Sequence, residues 1–194
     1  MTPAPPGCVR VIGGRWRGRR LPVPDLPGLR PTPDRVRETL FNWLAPVIEG
    51  AVCLDLFAGS GALGFEAASR GAGRVVMVEE SERAAAGIRA LAAELGAAGL
   101  EVHRAEALVW LRRASGCFDI VFLDPPFHRG LLAPACALLE SQGLLAPGGH
   151  VYLESEAAVY EATLPAGWEL VRSGKAGDVR YHLARRPTAP AAPA

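Results

Sequence analysis

The stretch DIVFLDPPFHRG (119–130) sets a carboxylate, two prolines and an aromatic ring directly behind an apolar run. Residues 119–123 read as a strand, because 120–123 run apolar without a break, as in a sheet covered on both faces. Asp124 ends it, and Pro125 and Pro126 cannot extend it: neither has an N–H for a ladder, and each holds its own φ at about −65°. The product is a stiff turn at the carboxyl end of a strand, the edge where open α/β sheets bind ligands. Such a mount suits chemistry on an exocyclic amine of a nucleobase, whose lone pair is delocalised into the ring. Asp124 can accept one N–H and the Pro125 carbonyl the other. That pair of acceptors favours a tetrahedral, more nucleophilic nitrogen and stabilises the positive charge of attack. Pro126 stiffens the turn, and Phe127 offers a face to a flipped base. Asp124, Pro125, Pro126 and Phe127 are therefore the candidate catalytic residues. The competing possibility is a plain strand-ending turn with Phe127 in the core.

A second cluster lies in DLFAGSGALG, where Gly59, Gly61 and Gly64 follow the strand-like run 51–57 in the spacing G-x-G-x-x-G. Glycines there let the backbone turn tightly, approach a ligand and start a helix close to the sheet. Dinucleotide enzymes share this spacing, and a ligand-free turn is the plainer alternative. Asp55, however, sits before the first glycine, where an anion repels a pyrophosphate and attracts an ammonium group. Glu79 ends the next strand-like run and is placed to accept two ribose hydroxyls, although a solvated acid would look the same. A nucleoside carrying an amine and no phosphates satisfies both, and S-adenosylmethionine is such a molecule. Glu106, past the third run, either meets the adenine amino group or serves its helix start. The candidate cofactor contacts are Asp55, Phe57, Gly59, Gly61, Glu79, Glu106 and Thr32. No metal is expected: His103, His128, His150 and His182 lack ligand spacing, and Cys8, Cys53, Cys117 and Cys136 include no C-x-x-C.

The elements that must hold these residues alternate. Strand-like runs at 51–57, 74–79, 100–104, 118–123 and 149–154 are separated by helix-like stretches near 62–71, 82–97, 106–114 and 130–142. This rhythm predicts an α/β fold with a doubly wound parallel sheet. Two last runs, 168–173 and 179–185, are joined by GKAG, too short for a parallel crossover, so they pair antiparallel at an edge. Before the sheet, Val9, Val11, Gly13, Gly14, Leu21 and Val23 predict two short strands around a glycine turn. In RPTPDRVRETLFNWLAP, Thr32 reads as helix cap and Pro33 as first helical residue. Val36, Leu40, Trp43, Leu44 and Val47 recur on one helix face, with Arg35, Arg37 and Glu38 on others. The expected division is 1–48 as a basic extension, 49–186 as the main domain and 187–194 as a disordered tail.

Of 194 residues 49% are apolar and 21% charged, the balance of an ordinary single domain. Apolar runs are too short for a membrane span, and MTPAPPGC is not a secretory signal. Scattered cysteines fit a reducing cytoplasm. Net charge is +1, but residues 1–45 hold eight arginines against three acids, leaving −4 on the remainder. A basic arm on an acidic body is suited to a polyanion. Arg10, Arg15, Arg17, Arg19, Arg20 and Arg35 are candidate phosphate contacts in RNA. Trp16 either stacks on a base or closes the hairpin core. Thr32, Arg35 and Arg37 border either the donor's methionine end or the target nucleotide.

RVIGGRWRGRRLPVP, RPTPDRVRETLFNWL, DLFAGSGALGFEAASRGA, VVMVEES and FLDPPF together resemble the bacterial 16S rRNA guanine-N2 methyltransferases that modify G966 of the small subunit. The likeness runs from about Val9 to Arg186. It implies a Rossmann-like class I methyltransferase fold with a mostly parallel seven-stranded sheet, an antiparallel C-terminal hairpin and a small N-terminal hairpin and helix. It also implies S-adenosylmethionine as donor, N2-methylguanine as product, and 16S rRNA in the 30S subunit or an assembly intermediate as partner. Similar enzymes often carry Asp where this chain has Glu106. A cytoplasmic monomer is expected. The alternatives are an N6-adenine methyltransferase, a non-catalytic RNA-binding module and, more distantly, a nicotinamide oxidoreductase.

Overall fold

The structure, a computed structural model, describes residues 7–22, 32–155 and 164–188. Val23, the arm residues 24–31 and tail residues 189–194 lie outside these. At the start of the expected tail, the Gly148 N–H donates to the Pro187 carbonyl at 3.3 Å.

A small hairpin of β1 (Cys8–Arg10) and β2 (Arg20–Pro22) pairs Val9 with Leu21 and precedes helix α1 (Asp34–Leu44). Then come β3 (Val52–Asp55), α2 (Ala62–Ser69), β4 (Arg74–Glu79), α3 (Glu82–Glu94), β5 (Leu100–Arg104) and α4 (Ala107–Leu111). The chain continues through β6 (Phe118–Leu123), α5 (Leu132–Ser141), β7 (Leu145–Ser155), β8 (Glu169–Ala176) and β9 (Val179–Arg185). The seven-stranded sheet has the order β5-β4-β3-β6-β7-β9-β8. Strands β3 to β7 pair parallel with one another, and β9 pairs antiparallel with both β7 and β8. The chain winds outward from β3 to β5 and then the other way through β6, so the switch point falls between β3 and β6.

Both sheet faces are covered, which is why the central strands are apolar without alternation. One face packs under α1, α2 and α3, with Phe41 of α1 against Phe122 of β6 at 5.8 Å between ring centres. The other face packs under α4 and α5 around Leu54, Val121, Leu139 and Leu153.

Several sequence expectations need correction. GKAG does not join β8 to β9, since Gly174, Lys175 and Ala176 already pair with Tyr181, Arg180 and Val179 and only 177–178 turn. Val47 lies beyond the end of α1 and is exposed. Helix α3 stops at Glu94, not near 97, because Gly96 turns left-handed at φ 61°. Strand β7 starts at Leu145, before the expected 149, since Leu145 already pairs with Phe118. Thr32 does not cap α1: Pro33 occupies that position without a side-chain bond, and the Thr32 hydroxyl turns to Asp124 instead. Arg37 is not on a polar face but fully buried, held by charge and carbonyl partners on three sides.

Candidate active site

The carboxyl ends of the parallel strands bring the predicted residues to one edge. Asp55 closes β3, Glu79 closes β4 and Asp124 follows β6; Asp55 is level with Met77 and with Phe122 on the neighbouring strands. The glycine turn between β3 and α2 forms because Gly59 and Gly61 adopt φ of 55° and 78°, a region that side-chain-bearing residues avoid. Asp55 is 2% exposed, and one of its oxygens accepts the Gly64 N–H at 3.0 Å. Burial pushes its pKa up to about 7 against that hydrogen bond, with the charge of Glu79 adding to the rise. A buried carboxyl facing another anion is fitted to receive a cationic ammonium group.

Glu79 bridges the same turn. Its two oxygens accept the Gly59 and Ser81 N–H groups, each at 2.7 Å, which leaves further lone pairs for hydroxyl donors. Burial raises its pKa, opposed by these backbone bonds. Phe57 is half-buried against the α4–α5 side of the sheet. Glu106 caps α4: its oxygens accept from Leu108 N at 3.0 Å and Val109 N at 2.9 Å. Of the two roles open to it in the sequence, helix capping is the one its contacts display.

In the Asp-Pro-Pro-Phe turn, Asp124 is half-buried and accepts the Thr32 hydroxyl at 3.0 Å. Desolvation, then the charge of Glu154, holds its pKa well above the ordinary carboxylate range. Pro125 is buried and Pro126 exposed, while Phe127 is 40% exposed and so is not the core residue of the plainer reading. His128 follows at φ 61°, the sole positive φ among described non-glycine residues, at the bend of this turn.

The basic arm is fastened to α2. Ile12 N and Gly13 N donate to Glu66 at 2.8 Å each, and Trp16 N donates to the Ser69 hydroxyl at 2.9 Å. Gly14 fits only as glycine, with φ at 74° and the place of a Cβ lying 1.8 Å from the Ser69 carbonyl oxygen. Arg15, Arg17, Arg19, Arg20 and Arg35 are exposed, whereas Arg10 is half-buried at 3.4 Å from Asp34. Trp16 is half-buried with its ring edge-on to Phe65 at 6.3 Å and the Arg15 guanidinium 4.1 Å above its face. Those contacts seat the ring between the arm and α2.

Sequence reasoning missed Glu154 and Tyr152. Glu154 is 4% exposed and its carboxylate accepts the Tyr152 hydroxyl at 2.7 Å. The signal was available, since YLESE ends an apolar strand in an acid just as VFLDP does.

A sheet of this order, with a glycine turn behind β3 and a carboxylate-proline turn behind β6, defines a Rossmann-like class I methyltransferase fold. Within that class, the chain belongs to the family described as Conserved hypothetical protein 95, which it matches over residues 9–185. It is 51% identical over 180 residues to the ribosomal RNA small subunit methyltransferase D of Escherichia coli K12, covering 93% of this chain and 91% of that protein. It is 44% identical over 186 residues to the protein of the same name from Haemophilus influenzae, covering 94% and 96%. The solved structure of the putative methyltransferase yhhF from Escherichia coli superposes with a TM-score of 0.87 at 46% identity, covering 94% of this chain and 100% of that one.

Proposed function

We propose that the protein transfers a methyl group from S-adenosylmethionine to the exocyclic N2 amine of guanine 966 in 16S rRNA of the small ribosomal subunit. The observation that carries this reading is Asp124. It is a carboxylate on a proline-stiffened turn at the switch point, beside an exposed Phe127 and one strand from the glycine turn with Asp55. The curated relatives, named as small subunit rRNA methyltransferases, support the substrate class.

The residues at the glycine turn fit the donor. Asp55 would take its ammonium group, Glu79 its ribose hydroxyls, and Phe57, Gly59 and Gly61 would border it. S-adenosylmethionine supplies a methyl group made electrophilic by a sulfonium sulfur. On the chain's side, Asp124 and the Pro125 carbonyl accept the two N–H bonds of the guanine amine and aim its lone pair. Thr32 steadies Asp124, and Phe127 stacks on the flipped base. The exposed arginines of the arm grip phosphates, which makes residues 1–48 the RNA-holding extension and 49–186 the methyl-transferring domain. The substrate is 16S rRNA within a 30S particle or an assembly intermediate, acted on by a monomer.

The test supplies labelled S-adenosylmethionine with unmethylated 30S subunits and with free 16S rRNA, followed by nucleoside analysis. Label in N2-methylguanosine at position 966 is expected. Label in N6-methyladenosine would transfer the assignment to an adenine methyltransferase.

A further inference from the structure

Strands β6 and β7 run parallel, with Leu123 level with Leu153. Asp124 and Glu154 are the next residues along each, so their carboxyls stand side by side on one face, on strands about 4.8 Å apart. The Thr32 hydroxyl donates to an Asp124 oxygen at 3.0 Å and lies close enough to Glu154 to favour its ionised form as well. On its far side Glu154 accepts from Tyr152 at 2.7 Å. A hydroxyl carries one proton and two lone pairs, so Thr32 can donate to one carboxylate while accepting from the other once that is protonated. The other ionisable groups facing the pair are Asp55 from β3, Tyr152 from β7 and Tyr181 from β9. Arg37 of α1 reaches it through the Thr32 carbonyl, to which its Nε donates at 3.2 Å. With both ionised, two neighbouring carboxylates among such groups take up a proton more readily than either would alone. Burial raises both pKa values, the neighbour's charge lifts Asp124 further, and the Thr32 hydrogen bond lowers each.

We propose that Asp124 and Glu154 form one proton-holding pair bridged by Thr32, in which Glu154 is the positioning residue that sets the charge on Asp124 and receives the proton shed by the methylated amine. This rests on Asp124 being the acceptor of the guanine amine. Once the new N–C bond has formed, the nitrogen carries a positive charge and two hydrogens. One N–H bond breaks, its electron pair returns to nitrogen, and the proton bonds to Asp124. Asp124 then donates that proton to the Thr32 oxygen as the Thr32 proton passes to Glu154. The amine ends neutral, the charge of the pair goes from −2 to −1, and Asp124 is ionised again.

Glu154→Gln tests this, because glutamine keeps the size and an acceptor for Tyr152 but removes the charge and the proton site. The first readout needs no substrate: carbon NMR titration of Asp124 in protein labelled at aspartate carboxyls. The Asp124 midpoint is expected to fall by about one pH unit or more in Glu154→Gln. In Thr32→Val, which removes the bridging hydroxyl, it is expected to rise. The second readout is the pH profile of single-turnover methylation on 30S subunits. Its acid limb is expected to follow the same two shifts, and Glu154→Asp to restore the wild-type limb. An Asp124 midpoint unmoved by Glu154→Gln would overturn the pair. Should that variant fail to fold, an unmoved midpoint in Thr32→Val would do the same. Shifted midpoints with a limb that stays fixed would overturn the role of the pair in the reaction. Failure of the wild type to methylate guanine would count against the proposed function, while the titration would still report on the pair.

Discussion

Glu66 of α2 and Arg37 of α1 hold their charged groups 3.6 Å apart, with neither side chain exposed to solvent. Neither is left with this partner alone. Glu66 also takes the Ile12 and Gly13 N–H groups and the Arg70 guanidinium, the last at 2.6 Å. Arg37 donates to the carbonyls of Thr32 and Arg10 and to Asp34. Two buried charges thus join the arm, two helices and the segment that carries Thr32 to Asp124. A buried pair of this kind contributes specificity of arrangement more than net stability, but breaking it on one side strands a charge.

Glu66→Ala is therefore expected to cost about 3–5 kcal/mol of folding stability, read as a lowered urea midpoint. Amide exchange at Ile12 and Gly13 should speed up more than exchange at Leu54 in the central sheet, because the arm loses its direct acceptor. Equal acceleration at both places would separate the arm from this carboxylate.

Asp55 makes stability depend on pH in a definite direction. A carboxyl whose pKa is raised to about 7 on folding adds stability that is complete below its unfolded pKa of about 4 and is lost as pH climbs through 7. Asp55→Asn keeps an acceptor for Gly64 and cannot ionise. Its melting temperature should exceed that of the wild type at pH 8 by several degrees, with the difference closing towards pH 4. The same substitution should weaken binding of S-adenosylmethionine by calorimetry at least tenfold, since a charged partner for the ammonium group is gone. A gain in melting temperature that is constant with pH would contradict the assignment.

Phe127 gives a cleaner separation of function from fold. With 40% of the residue exposed, Phe127→Ala should leave the melting temperature within a degree or two of the wild type. Base–aromatic stacking is worth roughly 1–3 kcal/mol, so kcat/KM on 30S subunits should fall about tenfold to a hundredfold. An unchanged kcat/KM would remove Phe127 from the site.

For the arm, the measurement is the salt dependence of RNA affinity. Replacing Arg17, Arg19 and Arg20 together by alanine should flatten the slope of log affinity against log salt by roughly 0.7–0.9 for each phosphate no longer neutralised. All three are exposed, so the fold should be unaffected. A slope that does not change would place the RNA elsewhere on the surface.

The alternation of strands and helices was legible in the order of residues, because unbroken apolar runs and helical spacing are local patterns that a doubly covered sheet imposes. That order also picked out Asp55, Glu79 and Asp124, each an acid closing an apolar strand, which the sheet then aligned at one edge. Glu106 and Trp16 were left with two roles apiece in the sequence, and packing displays one contact set for each: Glu106 caps α4 and Trp16 lies edge-on to Phe65 of α2. The burial of Arg37 and its pairing with Glu66 were hidden altogether. In the sequence each looks like an ordinary helix-surface charge, and burial follows from what covers the helix, a fact contained in neither helix's own residues. Thr32 illustrates the same limit: a local rule made it a cap, and a carboxylate 92 positions away took its hydroxyl instead. Tertiary structure alone decided which charges were enclosed together. A buried ion or carboxyl must find its partner wherever the fold brings one, and that partner's distance along the chain carries no penalty once the fold has formed.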